Sequence, residues 1–231
     1  MNRVDHQLGF ILKSQAFKET SFIHQFFSFN FGVVSIISKG SRTKNSKTGS
    51  LLQLFRPLMV SWTGKSELKT LTSVEQDQDI PTLKGRGLFC GFYVNELLIH
   101  FLHNNDSHPR LFEAYSAVIR QLSRTDSIES NLRQFEKILL EESGYAVILD
   151  GDVETLRPFD SQKQYNYIIG KGAVEKTYFN SSPLIDGSTL INLKNNCLVE
   201  KKELHQAKIL MRRLIDHQLN GKILKSRELF S

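Results

Sequence analysis

The stretch Lys39-Gly40-Ser41-Arg42-Thr43-Lys44-Asn45-Ser46-Lys47 combines four cations with hydroxyls, a glycine and no acid. Its surroundings match it. Between Glu19 and Glu67 there is no Asp or Glu, while Lys39, Arg42, Lys44, Lys47, Arg56 and Lys65 all fall inside. Such a field attracts polyanions, and a flexible basic loop can follow a phosphate backbone. A solvated, disordered loop is the competing reading. Contact with bases also asks for flat side chains. The 16 Phe residues supply them, although core packing accounts for most. Lys69 extends the basic set beyond Glu67, and Lys222, Lys225 and Arg227 form a second cluster near the end of the sequence. There a helix cap at Ser226 and a phosphate contact are equally good readings.

Other chemistry finds little support. His100, His103 and His108 match the spacing of no closed metal site. Gly170-Lys171-Gly172 lacks the spacing and the Ser or Thr of a phosphate loop, so ATP use is not indicated. The two cysteines, Cys90 and Cys197, form no CxxC and provide neither a cysteine zinc site nor a disulfide framework. No Ser-His-Asp, Cys-His or clustered-carboxylate arrangement can be read. No catalytic activity, cofactor or metal is expected.

The 231 residues carry a net charge of +6 and are 40% hydrophobic, with a pI near 9.3. That bounds the chain to one or two domains with a real core and favours nucleic acid or an anionic surface as partner. Residues Met1 to Asp5 lack an apolar signal region and no run is long enough to span a membrane. The expectation is a soluble cytoplasmic protein.

Residues 1–80 read as short strands. Leu8–Leu12, Ser21–Phe27 and Val33–Ile37 come first, with a turn at Asn30-Phe31-Gly32. Leu58–Trp62 and Glu67–Val74 then flank Thr63-Gly64-Lys65. Five strands in this length fit an OB barrel, whose members often bind single strands; a sandwich fragment or an SH3-like barrel has much the same spacing. A domain boundary is expected at Ile80-Pro81, after Glu75-Gln76-Asp77-Gln78-Asp79.

Residues 81–231 read as a helical domain with an irregular insertion at about 146–196. Leu88–Ile99 is apolar on nearly every face and predicts a buried helix, with Asn95 and Glu96 in a structural network and Cys90 packed. Pro109 starts a second helix. Ser127 caps a third that Gly144 ends, its stripe formed by Ile128, Leu132, Phe135 and Leu139. Arg133 and Lys137 lie beside that stripe. They read as a solvated face or as the basic rim of an apolar groove suited to an acidic, aromatic-ended peptide. In the insertion, Tyr165–Ile169 and Ala173–Tyr178 predict a hairpin. A long helix is expected from Asn196 to Gly221.

Taken together the chain resembles the bacterial RecO family of DNA repair proteins over nearly its whole length. The carrying residues are Glu19-Thr20-Ser21, Lys39-Gly40-Ser41-Arg42, Gln53–Leu58, Glu67–Leu71, Tyr93–Leu98, Leu111-Phe112, Phe135-Glu136, Gly144-Tyr145 and Leu224–Leu229. The resemblance implies an α+β fold, with a five-stranded N-terminal OB barrel and a helical domain. It implies binding of single- and double-stranded DNA, strand annealing without ATP, and location in the cytoplasm with nucleoid association during repair. It also implies binding of the C-terminal tail of single-stranded DNA-binding protein and of RecR, so that RecA is loaded on coated gaps. DNA would be held by Lys39, Arg42, Lys44, Lys47, Arg56, Lys65 and Lys69, with Lys222, Lys225 and Arg227, and the partner tail by Leu132, Arg133 and Lys137. Many members carry a four-cysteine zinc finger after the Gly-Tyr. Here Ala146–Val153 has no cysteine, so the chain resembles the zinc-free branch. The rival readings are an OB-type RNA-binding protein and a protein-interaction adaptor that does not use DNA.

Overall fold

The computed structural model describes residues 3–77, 82–124, 127–175 and 183–230. They form two compact units, residues 1–125 with 224–231 and residues 126–223. The boundary expected at Ile80-Pro81 lies outside the described residues.

In the first unit, β1 (Arg3–Phe17), β2 (Ser21–Ser28), β3 (Gly32–Ser38), β4 (Pro57–Thr63) and β5 (Lys69–Gln76) close into a barrel of order β1-β2-β3-β5-β4. All neighbours are antiparallel except β3 and β5. This is the five-stranded, OB-like sheet expected. Alternation along the strands sends Ile11, Phe26, Val34, Ile36, Leu58, Val60 and Trp62 into the barrel. Gly32 turns the chain into β3 at φ +62°, and a Cβ there would lie 1.8 Å from the Asp106 carbonyl oxygen.

The short helix α1 (Lys47–Leu51) bridges β3 and β4, and α2 (Gly85–Phe101) and α3 (Pro109–Leu122) follow the barrel. Gly87 lets α2 approach α3, since a Cβ would meet the Leu122 carbonyl oxygen at 2.2 Å. Outward residues of β1 and β2 meet α3 in an aromatic seam. Phe10 and Phe27 lie 5.6 and 5.3 Å from Phe112, and Phe10 lies 5.0 Å from Tyr115, ring centre to ring centre. Most Phe side chains near the barrel are therefore committed to packing. Between Ile11 and Lys13 a bulge shifts the β1–β2 register. There the Leu12 carbonyl accepts from Asn95 Nδ2 at 2.9 Å, and Asn95 Oδ1 accepts from the Tyr115 hydroxyl at 2.8 Å. Asn95 thus serves the structural network expected of it, and Cys90 is a buried thiol.

The second unit contains α4 (Ile128–Glu142), the three-stranded sheet β7-β6-β8 made by β6 (Gln164–Ile168), β7 (Gly172–Glu175) and β8 (Leu184–Asp186), then α5 (Gly187–Asn195) and α6 (Lys201–Leu219). The expected hairpin is β6–β7; Lys176 to Tyr178, which the sequence assigned to its second strand, lie outside the described residues. Two helix boundaries differ from expectation. Ser127 does precede α4, but in a left-handed conformation (φ 65°) with no side-chain cap bond. The long helix starts at Lys201, because Asn196 adopts φ 58° and ends α5 instead. No helix among the described residues is long and apolar enough to cross a membrane.

Tyr115→Phe removes the only hydroxyl bonded to Asn95 Oδ1 among the described residues and leaves a buried acceptor unpaired. We expect a loss of about 1–3 kcal/mol, read as a lower urea midpoint with unchanged slope. An unchanged midpoint would mean that the Leu12–Asn95–Tyr115 chain does not stabilise the fold.

Candidate nucleic-acid interface

Strand directions sort the barrel cations. Phe17 pairs with Ser21 and Phe22 with Ser38, so the β1–β2 turn and the basic loop after β3 emerge at the same end. The two loops are bonded. The Arg42 backbone N–H donates to the Thr20 carbonyl at 2.9 Å, and Arg42 Nη1 donates to the Lys18 carbonyl at 3.2 Å. This end gathers Lys39, Arg42, Lys44 and Lys47 with Lys18, a residue the sequence reading missed. Nothing in its local pattern marks Lys18. Its backbone is left-handed at φ 53° and its ammonium lies 5.5 Å from the centre of the Phe17 ring.

The β4–β5 hairpin carries a different group, and β5 starts beside the end of β3, where Ile36 pairs with Lys69 and Ile37 with Thr70. Arg3 and Thr70 both pair with Thr63, which brings the start of β1 to the β4–β5 hairpin with Lys65 and Lys69. Lys69 Nζ donates to the Gly64 carbonyl at 3.4 Å, and Asp5 bonds Arg3. Arg56, just before β4, belongs to the first end, where Nη2 reaches the Thr82 hydroxyl at 3.4 Å.

The basic loop is anchored rather than loose. Ser41 is buried within it, and its hydroxyl donates to the Ser38 carbonyl at 2.9 Å and lies 2.5 Å from the Ser38 hydroxyl. Ser38 Oγ is 2.7 Å from His24 Nε2, and Ser14 Oγ is 2.8 Å from His24 Nδ1. One polar chain thus joins β1, β2, β3 and the loop. At the loop's far end, Ser46 Oγ accepts from the Gly49 N–H at 3.0 Å and caps α1, whose first residue is Lys47. Burial pushes the His24 imidazole down to about 4, so it is neutral near pH 7.

The C-terminal cluster rests on Glu96. Its carboxylate accepts from the backbone N–H groups of Lys225 and Ser226 at 2.9 and 2.8 Å and from the Ser226 hydroxyl at 2.5 Å. Burial acts to raise the Glu96 pKa, but these bonds outweigh it and hold the carboxyl below its usual range. Ser226 is therefore an internal donor within the 3₁₀ helix Lys225–Phe230, and the cap is Glu96. Lys222 and Lys225 are exposed and Arg227 is half-buried.

In the second unit, Leu132 is buried on α4 and the two neighbouring cations are occupied. Arg133 is 4% exposed, and Nη2 pairs with Glu136 Oε1 at 2.6 Å. Lys137 Nζ donates to the carbonyls of Leu193 and Lys194 at 2.6 and 2.9 Å and to Asn196 Oδ1 at 2.8 Å. It thereby neutralises the C-terminal end of α5. The solvated face or open basic rim expected of this pair gives way to a buried ion pair and a helix cap. Sequence spacing missed the Lys137 cap because α5 was not read.

Among the described residues, no group of three or more His, Cys, Asp or Glu could hold a metal. The segment after Gly144-Tyr145 is fastened by Asp152. Its carboxylate accepts the N–H groups of Glu154 and Thr155 at 2.9 and 2.8 Å and that of Glu175, on β7, at 2.7 Å.

A closed OB-like barrel followed by a helical region defines the class of OB-fold proteins, whose members bind oligonucleotides or oligosaccharides. Residues 1–78 match the model of the recombination protein O N-terminal family, and residues 84–228 match that of its C-terminal family. The chain belongs to the RecO family, which places it among DNA repair and recombination proteins. It is 39% identical over 226 residues to the DNA repair protein RecO of Aromatoleum aromaticum, covering 97% of this chain and 94% of that one. With the DNA repair protein RecO of Nitrosospira multiformis the identity is 39% over 230 residues, covering 98% and 95%. With that of Dechloromonas aromatica it is 37% over 235 residues, covering 99% and 96%.

The His24 chain has a pH signature. An unfolded histidine titrates near 6.5 and the folded one near 4, so the histidine costs nothing above 6.5. Below that value the unfolded chain gains a proton that the folded chain refuses, and stability falls until pH 4, by about 3 kcal/mol in all. We expect the melting temperature of the protein to fall more steeply between pH 6.5 and 4 than that of a His24→Gln variant. Parallel curves would remove His24 as the cause.

Proposed function

We propose that this chain is a recombination mediator that binds single- and double-stranded DNA and anneals complementary strands. In the full reading it also binds the tail of single-stranded DNA-binding protein and, with RecR, promotes RecA loading on coated DNA. The observation that carries the DNA part is the joining of the basic loop to the β1–β2 turn at one barrel end through Arg42, with Glu19 the only acid between Asp5 and Glu67. Membership of the RecO family supports the repair context. The mechanism is electrostatic: Lys18, Lys39, Arg42, Lys44 and Lys47 offset the phosphate repulsion between two strands brought together for pairing, and no bond in DNA is made or broken.

The remaining assignments are part of the same proposal. Lys65 and Lys69 form a second phosphate contact on the β4–β5 hairpin, Arg56 adds to the first, and Lys222, Lys225 and Arg227 contribute near the C-terminal helix. For the tail peptide, α4 supplies the apolar floor through Leu132. Arg133 and Lys137, beside that floor, would meet the peptide by exchanging their internal partners for its carboxylates.

If a single strand meets about five cations, the slope of log K against log salt is roughly −3 to −4. Replacing Lys39, Arg42, Lys44 and Lys47 together by Ala is expected to flatten that slope and abolish annealing. Retained affinity and annealing would defeat the loop assignment, and tighter binding of folded RNA at matched salt would favour an RNA-binding protein. Arg133→Ala is expected to weaken binding of an acidic, Phe-ended peptide while sparing naked DNA. It also lowers the melting temperature, because Glu136 stays buried without this partner. Calorimetric titration below the melting transition separates the two effects. Unchanged peptide affinity would rule Arg133 out.

A further inference from the structure

Helix α6 ends at Leu219 in the second unit, while residues 224–231 belong to the first. Only residues 220–223 join them. In that hinge Asn220 and Gly221 are both left-handed, at φ 49° and 87°, and Lys222 and Ile223 are exposed. A left-handed backbone costs an ordinary residue free energy that glycine, and in part asparagine, avoids. Residues 224–230 then form a strap that seats on α2 through a defined set of contacts. Leu224 is 2% exposed. Glu96 accepts from the backbone N–H groups of Lys225 and Ser226 and from the Ser226 hydroxyl. Phe230 meets Phe89, with ring centres 6.1 Å apart. The strap therefore runs against α2, from Glu96 back to Phe89. Its seat reads two main-chain donors, one hydroxyl and an aromatic ring.

We propose that this strap exchanges between two copies of the chain, each seating residues 224–230 on α2 of the other. The seat itself selects the occupant, because the sequence that fits it is the one already there. Exchange remakes each of these contacts between copies, so the strap loses nothing by it. What changes is the hinge. In the closed chain residues 220 and 221 must both turn left-handed, whereas an opened hinge frees them, and strained short hinges favour exchange. Closure within one chain keeps the advantage of proximity, an effective concentration on the order of millimolar. Exchange therefore belongs to conditions that crowd the copies, such as several of them on one polyanion. The exchanged pair carries two barrels and two basic loops, so one assembly can hold two strands.

Gly221→Val tests the hinge. Nothing lies within 4 Å of a Cβ at Gly221, so the substitution acts on the backbone alone, at a φ that a β-branched residue rarely adopts. Sedimentation velocity is run on the full chain from about 1 µM to about 1 mM, a range that reaches the effective concentration of the hinge. The unsubstituted chain is expected to pass from monomer to dimer, and Gly221→Val to do so at a concentration about tenfold lower or less. A variant that stays monomeric throughout would overturn the proposal. A mixing experiment, in the Gly221→Val background, identifies the exchanged segment. The Glu96→Ala chain keeps an intact strap and a damaged seat. The Leu224→Asp chain keeps an intact seat and a damaged strap, since a carboxylate enters a buried position. Each alone is expected to be monomeric, and an equimolar mixture to form a heterodimer held by one strap on one seat. A mixture without heterodimer, or equal dimerisation of either chain alone, would overturn strap exchange. Should either chain fail to fold, the comparison of Gly221→Val with the unsubstituted chain decides the matter.

Discussion

The hydrogen bond from Asn95 to the Leu12 carbonyl occupies the place where the first unit changes character. A bulge leaves a carbonyl outside the regular ladder, and burial makes an unpaired one costly. Asn95 meets it from α2, and Tyr115 meets Asn95 from α3. Three elements separated in sequence are tied at one point. On one side of that point the barrel wall is sealed by aromatic rings; on the other it is polar and open. A regular β1 would reverse which residues face outward beyond this point, because side chains alternate along a strand. It would send Lys13 and Gln15 inward and Ser14, the partner of His24, outward.

The His24 chain gives the basic loop its character. A loop of that composition has every reason to stay solvated, and charge alone leaves that reading open. Burial of Ser41, reached through Ser38 from a neutral imidazole, and the Arg42 bonds to the neighbouring turn hold the loop backbone and Arg42 in place. Loops held in this way lose less conformational freedom on binding than free ones.

The five strands were legible because β-branched residues and alternation mark them, and α2, α3 and α4 because their apolar stripes do. The start of α6 was not, since Asn196 reads equally well as a cap for either neighbour until its left-handed backbone is known. Helix α5 escaped because its short sequence, Gly187–Asn195, carries no strong period. For the candidate interface, the cations between Lys39 and Lys47 could be found from charge alone. Lys18 could not, because its nearness to the loop is made by strand pairing. Lys137 shows the reverse failure: spacing places a charged residue on a helix surface, but only tertiary structure reveals partners that arrive from elsewhere.

Asp152 gathers three backbone N–H groups from two separate stretches of the second unit. Every part of that fastening comes from the chain itself and is present when synthesis of the region is complete. One carboxylate therefore sets the spacing of both stretches, and its loss would release them together.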